Sequence, residues 1–262
     1  MRFVAVLRQL AVVFLCLSAF SASAQAGVVH IFGDRSGDRA NLASSLVGLG
    51  HTVVNTAALA TDLSGFDAVW HVGAFSALGS GQQTQLSGYI QSGGGVHLTG
   101  ERPCCDVMND SIETLINSLV VGGGVSVGRQ GDSGAGTALV NAGVVGGLAS
   151  APNLLSGLVL SASGVISGVS GDNVFATFNG QTVAAAWDSV DLLGGAGRLS
   201  LVMDVNWFSN PGANLAAFAN VQTFLEGGAQ TQPQAQAVPE PASLALVLLG
   251  IAAFGARRRM PL

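Results

Sequence analysis

Val28-Val29-His30-Ile31-Phe32-Gly33-Asp34 opens the part of this 262-residue chain that can fold. An apolar run without polar alternation, stopped by Gly-Asp, predicts a strand buried on both faces. Beyond it, Ser36 or Asp38 can cap a helix carrying Ala40, Leu42, Ala43, Leu46 and Leu49, which Gly48 and Gly50 end. His51 to Val54 and Phe66 to Gly73 predict the second and third strands. A helix over Gln82 to Ile90 stops at Gly93-Gly94-Gly95, and Val96 to Gly100 predicts the fourth strand. Asp110 and Glu113 form a capping-box pattern for a helix through Ile112, Leu115, Ile116 and Leu119. Strands alternating with helices predict right-handed crossovers, a mostly parallel central sheet and an α/β three-layer sandwich.

From Gly122 to about Gly171 the period dissolves into Gly, Ser, Ala and Val, which reads as irregular strands and loops. Order returns with Val174 to Phe178, Asn179-Gly180, and Thr182 to Trp187, a hairpin signal. Arg198 to Asp204 predicts another strand, and Asn214 to Leu225 a terminal helix with Leu215, Phe218, Val221, Phe224 and Leu225 inward. The body thus runs over residues 27–228, and 229–237 is a Gln/Ala/Pro linker too polar to pack.

Three stretches of the body carry a family likeness. They are the opening strand, Gly93 to Gly100, and Leu201-Val202-Met203-Asp204-Val205-Asn206-Trp207. In this order they resemble the class I glutamine amidotransferase-like, flavodoxin-like fold. The resemblance implies a Cys nucleophile on a strained turn after the fourth strand, at Thr99-Gly100-Glu101-Arg102-Pro103. Glu101 occupies that position here, and a carboxylate is a poor acyl-transfer nucleophile. Cys104 follows a few residues on. All four histidines (His30, His51, His71 and His97) precede it, so the downstream His that would activate it is missing.

Both ends read as address labels. Arg2 and Arg8, an apolar run from Leu10 to Phe20, and Ala22-Ser23-Ala24 make a signal peptide over residues 1–24, with cleavage after Ala24 or alternatively Ala26. At the other end, residues 238–262 hold Pro239-Glu240-Pro241, an uncharged apolar run over 242–256, and Arg257-Arg258-Arg259. The run, as a helix, reaches only ~20 Å against a ~30 Å hydrocarbon core. The prolines bound it on one side, and the arginines suit a cytoplasmic membrane face. This order of parts resembles the PEP-CTERM sorting signal of Gram-negative bacteria. The resemblance implies an exosortase that recognises Pro239-Glu240-Pro241 and removes the membrane helix. It also implies an exopolysaccharide-producing, biofilm- or floc-forming setting. The expected route is export, anchoring in the inner membrane on the periplasmic side, then cell-surface or extracellular location after processing.

Composition limits what the body can meet. Glycine is 37 of 262 residues, charged residues are 10%, and there is no lysine. The body sets five arginines against fourteen carboxylates, which argues against nucleic acid and leaves extracellular polysaccharide as a compatible partner. Without lysine there is no P-loop. Outside the leader, the cysteines are Cys104 and Cys105, neighbours that staple nothing distant and lack the nearby His of a zinc site.

Ligands of open parallel sheets bind beyond the C-terminal strand ends. That rule gathers Asp34 and Arg35, His71, Glu101 and Arg102, and Asp204 and Asn206 as candidates. Asp34, Arg35, Arg102, Asp204 and Asn206 are the candidate ligand-binding residues; Glu101, His71 and Cys104 are the catalytic candidates. No cofactor is expected, although carboxylates and carbonyls there are compatible with a divalent cation. Two readings follow. The first is a non-catalytic surface or matrix protein that recognises glycan. The second is an exported hydrolase of amide or glycosidic bonds working at that edge.

Overall fold

The computed structural model describes residues 26–229. The expected signal peptide, the linker from residue 230 on, the 242–256 helix and the sorting residues Pro239, Glu240, Pro241 and Arg257 to Arg259 lie outside the described residues. Among the described residues, no helix is long and apolar enough to cross a membrane.

Among the described residues, nine strands form one sheet in the order β2-β1-β3-β4-β9-β8-β6-β5-β7. The strands are β1 (Val28–Phe32), β2 (Thr52–Asn55), β3 (Ala68–His71), β4 (Gly95–Thr99), β5 (Ser126–Val140), β6 (Gly157–Ser167), β7 (Val174–Phe178), β8 (Gln181–Trp187) and β9 (Arg198–Val202). Pairing is parallel from β2 through β1, β3 and β4 to β9. From β9 onward it is antiparallel. Because β7 pairs with β8 as well as β5, the antiparallel end closes on itself as a small barrel. This corrects the expected fold: the body is β-rich and barrel-containing, not a mostly parallel three-layer sandwich.

Four helices accompany the sheet among the described residues: α1 (Ser36–Gly48), α2 (Ser80–Gln91), α3 (Asp106–Leu119) and α4 (Pro211–Ala229). Leu42 and Leu46 of α1 share one apolar cluster with Phe218, Val221 and Phe224 of α4, together with barrel residues such as Leu158 and Phe175. Leu86 and Ile90 of α2 share a second cluster with Ile112, Leu115 and Ile116 of α3. Helix α3 starts at Asp106 with Cys105 as its N-cap, one turn before the predicted start. The predicted capping pair Asp110 and Glu113 therefore lies inside the helix, where Arg129 of β5 bridges both carboxylates at 2.7 and 3.2 Å.

The glycine-rich stretch is where the barrel is made. β5 carries Gly128, Gly131, Gly134 and Gly136 at positive φ, and its pairing with β6 shifts register repeatedly there. Glycine adopts that backbone without the Cβ penalty, so the strand can bend and twist at each shift. The hairpin β7–β8 turns on Asn179 (φ 51°) and Gly180 (φ 75°), both left-handed as a two-residue type I′ turn requires.

β5 and β6 also pass across the C-terminal ends of β4 and β9. A Cβ on Gly164 of β6 would stand 2.6 Å from the Glu101 carbonyl oxygen, and one on Gly128 of β5 would stand 2.8 Å from it. Only glycine allows this approach, so we expect Gly164→Ala to lower the unfolding free energy by about 1–3 kcal/mol. Gly88→Ala, exposed in α2 with open space around it, should instead stabilise by about 0.5–1 kcal/mol. Urea denaturation of the two variants checks both signs.

Candidate functional site

The C-terminal ends of β1, β3, β4 and β9 lie on one side of the parallel half, which brings the predicted residues to one edge. The Asp34 charge acts on His71, and the Asp204 charge on Glu101. The β4 and β9 ends lie beneath β5 and β6, while the β3 end leads into exposed residues 75–77.

Asp204 follows β9 and is fully buried. One carboxylate oxygen accepts the backbone N–H of Ser161 and of Ala162 (3.1 Å for the latter), and the other accepts that of Asn206 at 2.8 Å. Ser161 and Ala162 sit where the β5–β6 register shifts, between Leu160↔Gly136 and Ser163↔Gly134. The bulge takes these amides out of the ladder, and Asp204 supplies the acceptor. Burial pushes the Asp204 carboxyl above its ordinary range, and these hydrogen bonds offset only part of that rise.

Glu101 is 5% exposed. Its side chain accepts the N–H of Val205 at 3.0 Å and of Arg102 at 3.2 Å. Its own backbone is clasped by the Asn109 amide, which accepts from Glu101 N (2.9 Å) and donates to Glu101 O (2.8 Å). Burial raises the Glu101 carboxyl, the Val205 N–H opposes that rise, and the Asp204 charge adds to it. Asp34 is different. Burial alone would raise it, but the N–H groups of Ala74 (2.9 Å), Phe75 (3.0 Å) and Ser76 (2.7 Å) hold it below the ordinary range.

His71 is buried, and burial holds its pKa down to about 4 despite the Asp34 charge, so the ring is neutral at pH 7. Its Nδ1 has no hydrogen-bond partner among the described residues. Arg35 pairs with Asp38 at 3.0 Å, and Arg102 with Asp132 at 3.1 Å. Asn206 contributes its backbone N–H to Asp204. Cys104 is bonded to Cys105 in a disulfide, so no thiol stands at that candidate position. Among the described residues, no three His, Cys, Asp or Glu side chains are grouped to hold a metal ion.

Sequence reasoning missed Phe75. Its side chain is 63% exposed, beside the Arg35 guanidinium at 5.8 Å from the ring centroid. The signal for it was an aromatic residue alone in an Ala-Phe-Ser loop directly after a buried strand. Asn109 was also missed. It belongs to an Asn-Asp-Ser sequon, but its buried amide is committed to Glu101.

Comparison with protein families matches the C-terminal residues 237–259. The chain carries a PEP-CTERM protein-sorting motif. The motif marks an exported protein that is sorted at the membrane and recognised by exosortase. It covers the tail and says nothing of the body. Among curated proteins the chain has no match. Among solved structures, the body is similar to the mmIFT52 N-terminal domain, with 13% identity, a TM-score of 0.51, and coverage of 76% of this chain and 97% of that one. It is also similar to the exo-β-1,4-mannosidase Op5Man5 from Opitutaceae bacterium strain TAV5, at 11% identity and TM-score 0.49. That match covers 77% of this chain but only 36% of the mannosidase, so the chain spans about a third of that structure's length. A putative ThuA-like protein from Parabacteroides merdae matches at 11% identity and TM-score 0.47, covering 78% of this chain and 91% of that one. At such identities the likeness is one of fold alone. These neighbours do not support the class I glutamine amidotransferase-like, flavodoxin-like body that the sequence suggested.

The raised and lowered carboxyls have opposite linkage signs. Glu101 titrates higher folded than unfolded, so its favourable contribution is full below the ordinary carboxylate value and is lost as pH rises through the folded value. The stability difference between wild type and Glu101→Gln should therefore fall with rising pH above about 4.5, by at most about 1.4 kcal/mol per pH unit. For Asp34, whose pKa is lowered, the difference between wild type and Asp34→Asn should rise with pH below about 4. Denaturant unfolding between about pH 3 and pH 7 measures both slopes, and equal signs would contradict the assignment.

Proposed function

We propose that the body is a non-catalytic recognition module, exported and released by tail processing, that binds polysaccharide of the extracellular layer at the β1–β3 edge. The observation that carries this reading is Phe75. Sheet order reverses between β1 and β3, since the chain steps outward to β2 and then back across β1 to β3. Such a reversal is where α/β sheets present ligand sites. Asp34, just after β1, fastens the loop after β3 by the three amides 74–76, which leaves the Phe75 ring held in solvent. An aromatic ring that is both exposed and pre-ordered suits the apolar face of a sugar, because little entropy remains to be lost on binding.

The polar groups a hydrolase would need are committed to the backbone or lack an orienting partner. Glu101 and Asp204 serve amide groups beneath β5 and β6, and His71 is a buried neutral ring. The low charge and absence of lysine fit a partner recognised by neutral contacts rather than ion pairing.

Two outcomes test the reading. Processed protein from culture should be retained on the producing cell's purified matrix polysaccharide, with Phe75→Ala about three- to tenfold weaker and Phe75→Trp retained. Absence of wild-type retention would remove the recognition claim. In cells lacking exosortase, or with Glu240→Ala, mass spectrometry should find the tail still attached and the protein in the membrane fraction. Processing unchanged by both would contradict the sorting route.

A further inference from the structure

We infer that the Cys104–Cys105 disulfide is a thiol–disulfide exchange site, accessible through Cys104 and open to a small thiol or a dithiol oxidoreductase. The two cysteines are sequence neighbours with Cα atoms 3.8 Å apart. That spacing is fixed by one peptide unit and lies below the roughly 4.4–6.8 Å that unconstrained disulfides adopt. Connectivity therefore prevents the ring from relaxing, and such disulfides reduce more readily than structural ones. The bond closes no loop beyond the pair itself, so it adds little chain-entropy stabilisation. A pair that contributes so little to folding is available for exchange.

Access is lopsided. Cys104 is exposed, between exposed Arg102 and Pro103 on one side and the start of α3 on the other. Cys105 is 5% exposed and serves as the helix N-cap, its carbonyl accepting from Met108 and Asn109 at 3.1 Å each. An incoming thiolate thus meets the Cys104 sulfur. The new S–S bond forms at Cys104, the Cys104–Cys105 bond breaks, and Cys105 leaves as a thiolate that takes up a proton. A second thiolate attacks the sulfur of the bound thiol, releasing Cys104 and the external disulfide. Two thiols are oxidised and one disulfide is reduced. The position of Cys105 at the positive end of α3 favours its thiolate as leaving group.

The loop that holds the pair also holds Glu101. Cys105 N donates to Arg102 O at 3.3 Å, and Asn109 of the first α3 turns clasps Glu101. Opening the ring frees the segment between these contacts without touching either apolar cluster, so the folded body should survive reduction.

The test is alkylation mass spectrometry on the processed protein. Exported protein trapped in acid should carry the disulfide. Under native conditions, low-millimolar dithiothreitol should make both cysteines alkylatable while circular dichroism stays unchanged. In Cys105→Ser, the remaining Cys104 should form a mixed disulfide with oxidised glutathione, and Cys104→Ser should react at least tenfold more slowly. Exported protein isolated with two free thiols, reduction that requires denaturant, or faster reaction of Cys105 would each overturn the inference.

Discussion

Where the parallel half of the sheet meets the barrel at β9, the buried carboxylate of Asp204 ties the end of that strand to β6. It stands at the end of β9 and accepts amides from β6 that the irregular β5–β6 ladder leaves unpaired. An unpaired buried amide costs about as much as a lost hydrogen bond, so the bulge in β6 depends on this acceptor. Glu101 makes the neighbouring link, from the end of β4 to Val205. Asp34 does the same for the loop after β3. Acidic residues at strand ends here organise backbone. Burying them is unfavourable in itself, as the raised pKa of Asp204 and Glu101 records, and the amides they receive offset that cost.

This arrangement also shows how the expected strand-edge residues are placed. The rule that ligands gather at strand ends assumes an open sheet. β5 and β6 instead lie directly over the β4 and β9 ends, with Gly128 and Gly164 against the Glu101 carbonyl. The edge stays open at β1 and β3, where the loop is short and Phe75 faces solvent.

Much of the parallel half was legible because local patterns decide it. The run at Val28–Phe32, the Leu42 and Leu46 spacing and the run at Val96–Thr99 each correspond to an observed element, and so does the Asn179-Gly180 hairpin of the barrel. The β5 and β6 strands and the closure of the barrel were not legible. Four glycines at positive φ in β5 erase its two-residue alternation, and the closure depends on pairings distant in sequence. The start of α3 was misplaced for a different reason. Asp110 and Glu113 have capping-box spacing, yet they serve Arg129 from inside the helix. At the site, the sequence could name the carboxylates but not their partners, since an N–H of Ser161 or Val205 leaves no mark in composition. The tail was legible because its parts act in order along the chain, with no fold needed to bring them together.

The account turns on whether the strand-end carboxylates hold backbone amides in the folded protein. Amide hydrogen exchange followed by NMR at Ser161 and Ala162 reads this directly. The account predicts protection comparable to the central β4 and β9 amides, lost selectively at these two positions in Asp204→Ala while β4 remains protected. Exchange of Ser161 and Ala162 at solvent rates in the wild type would contradict it.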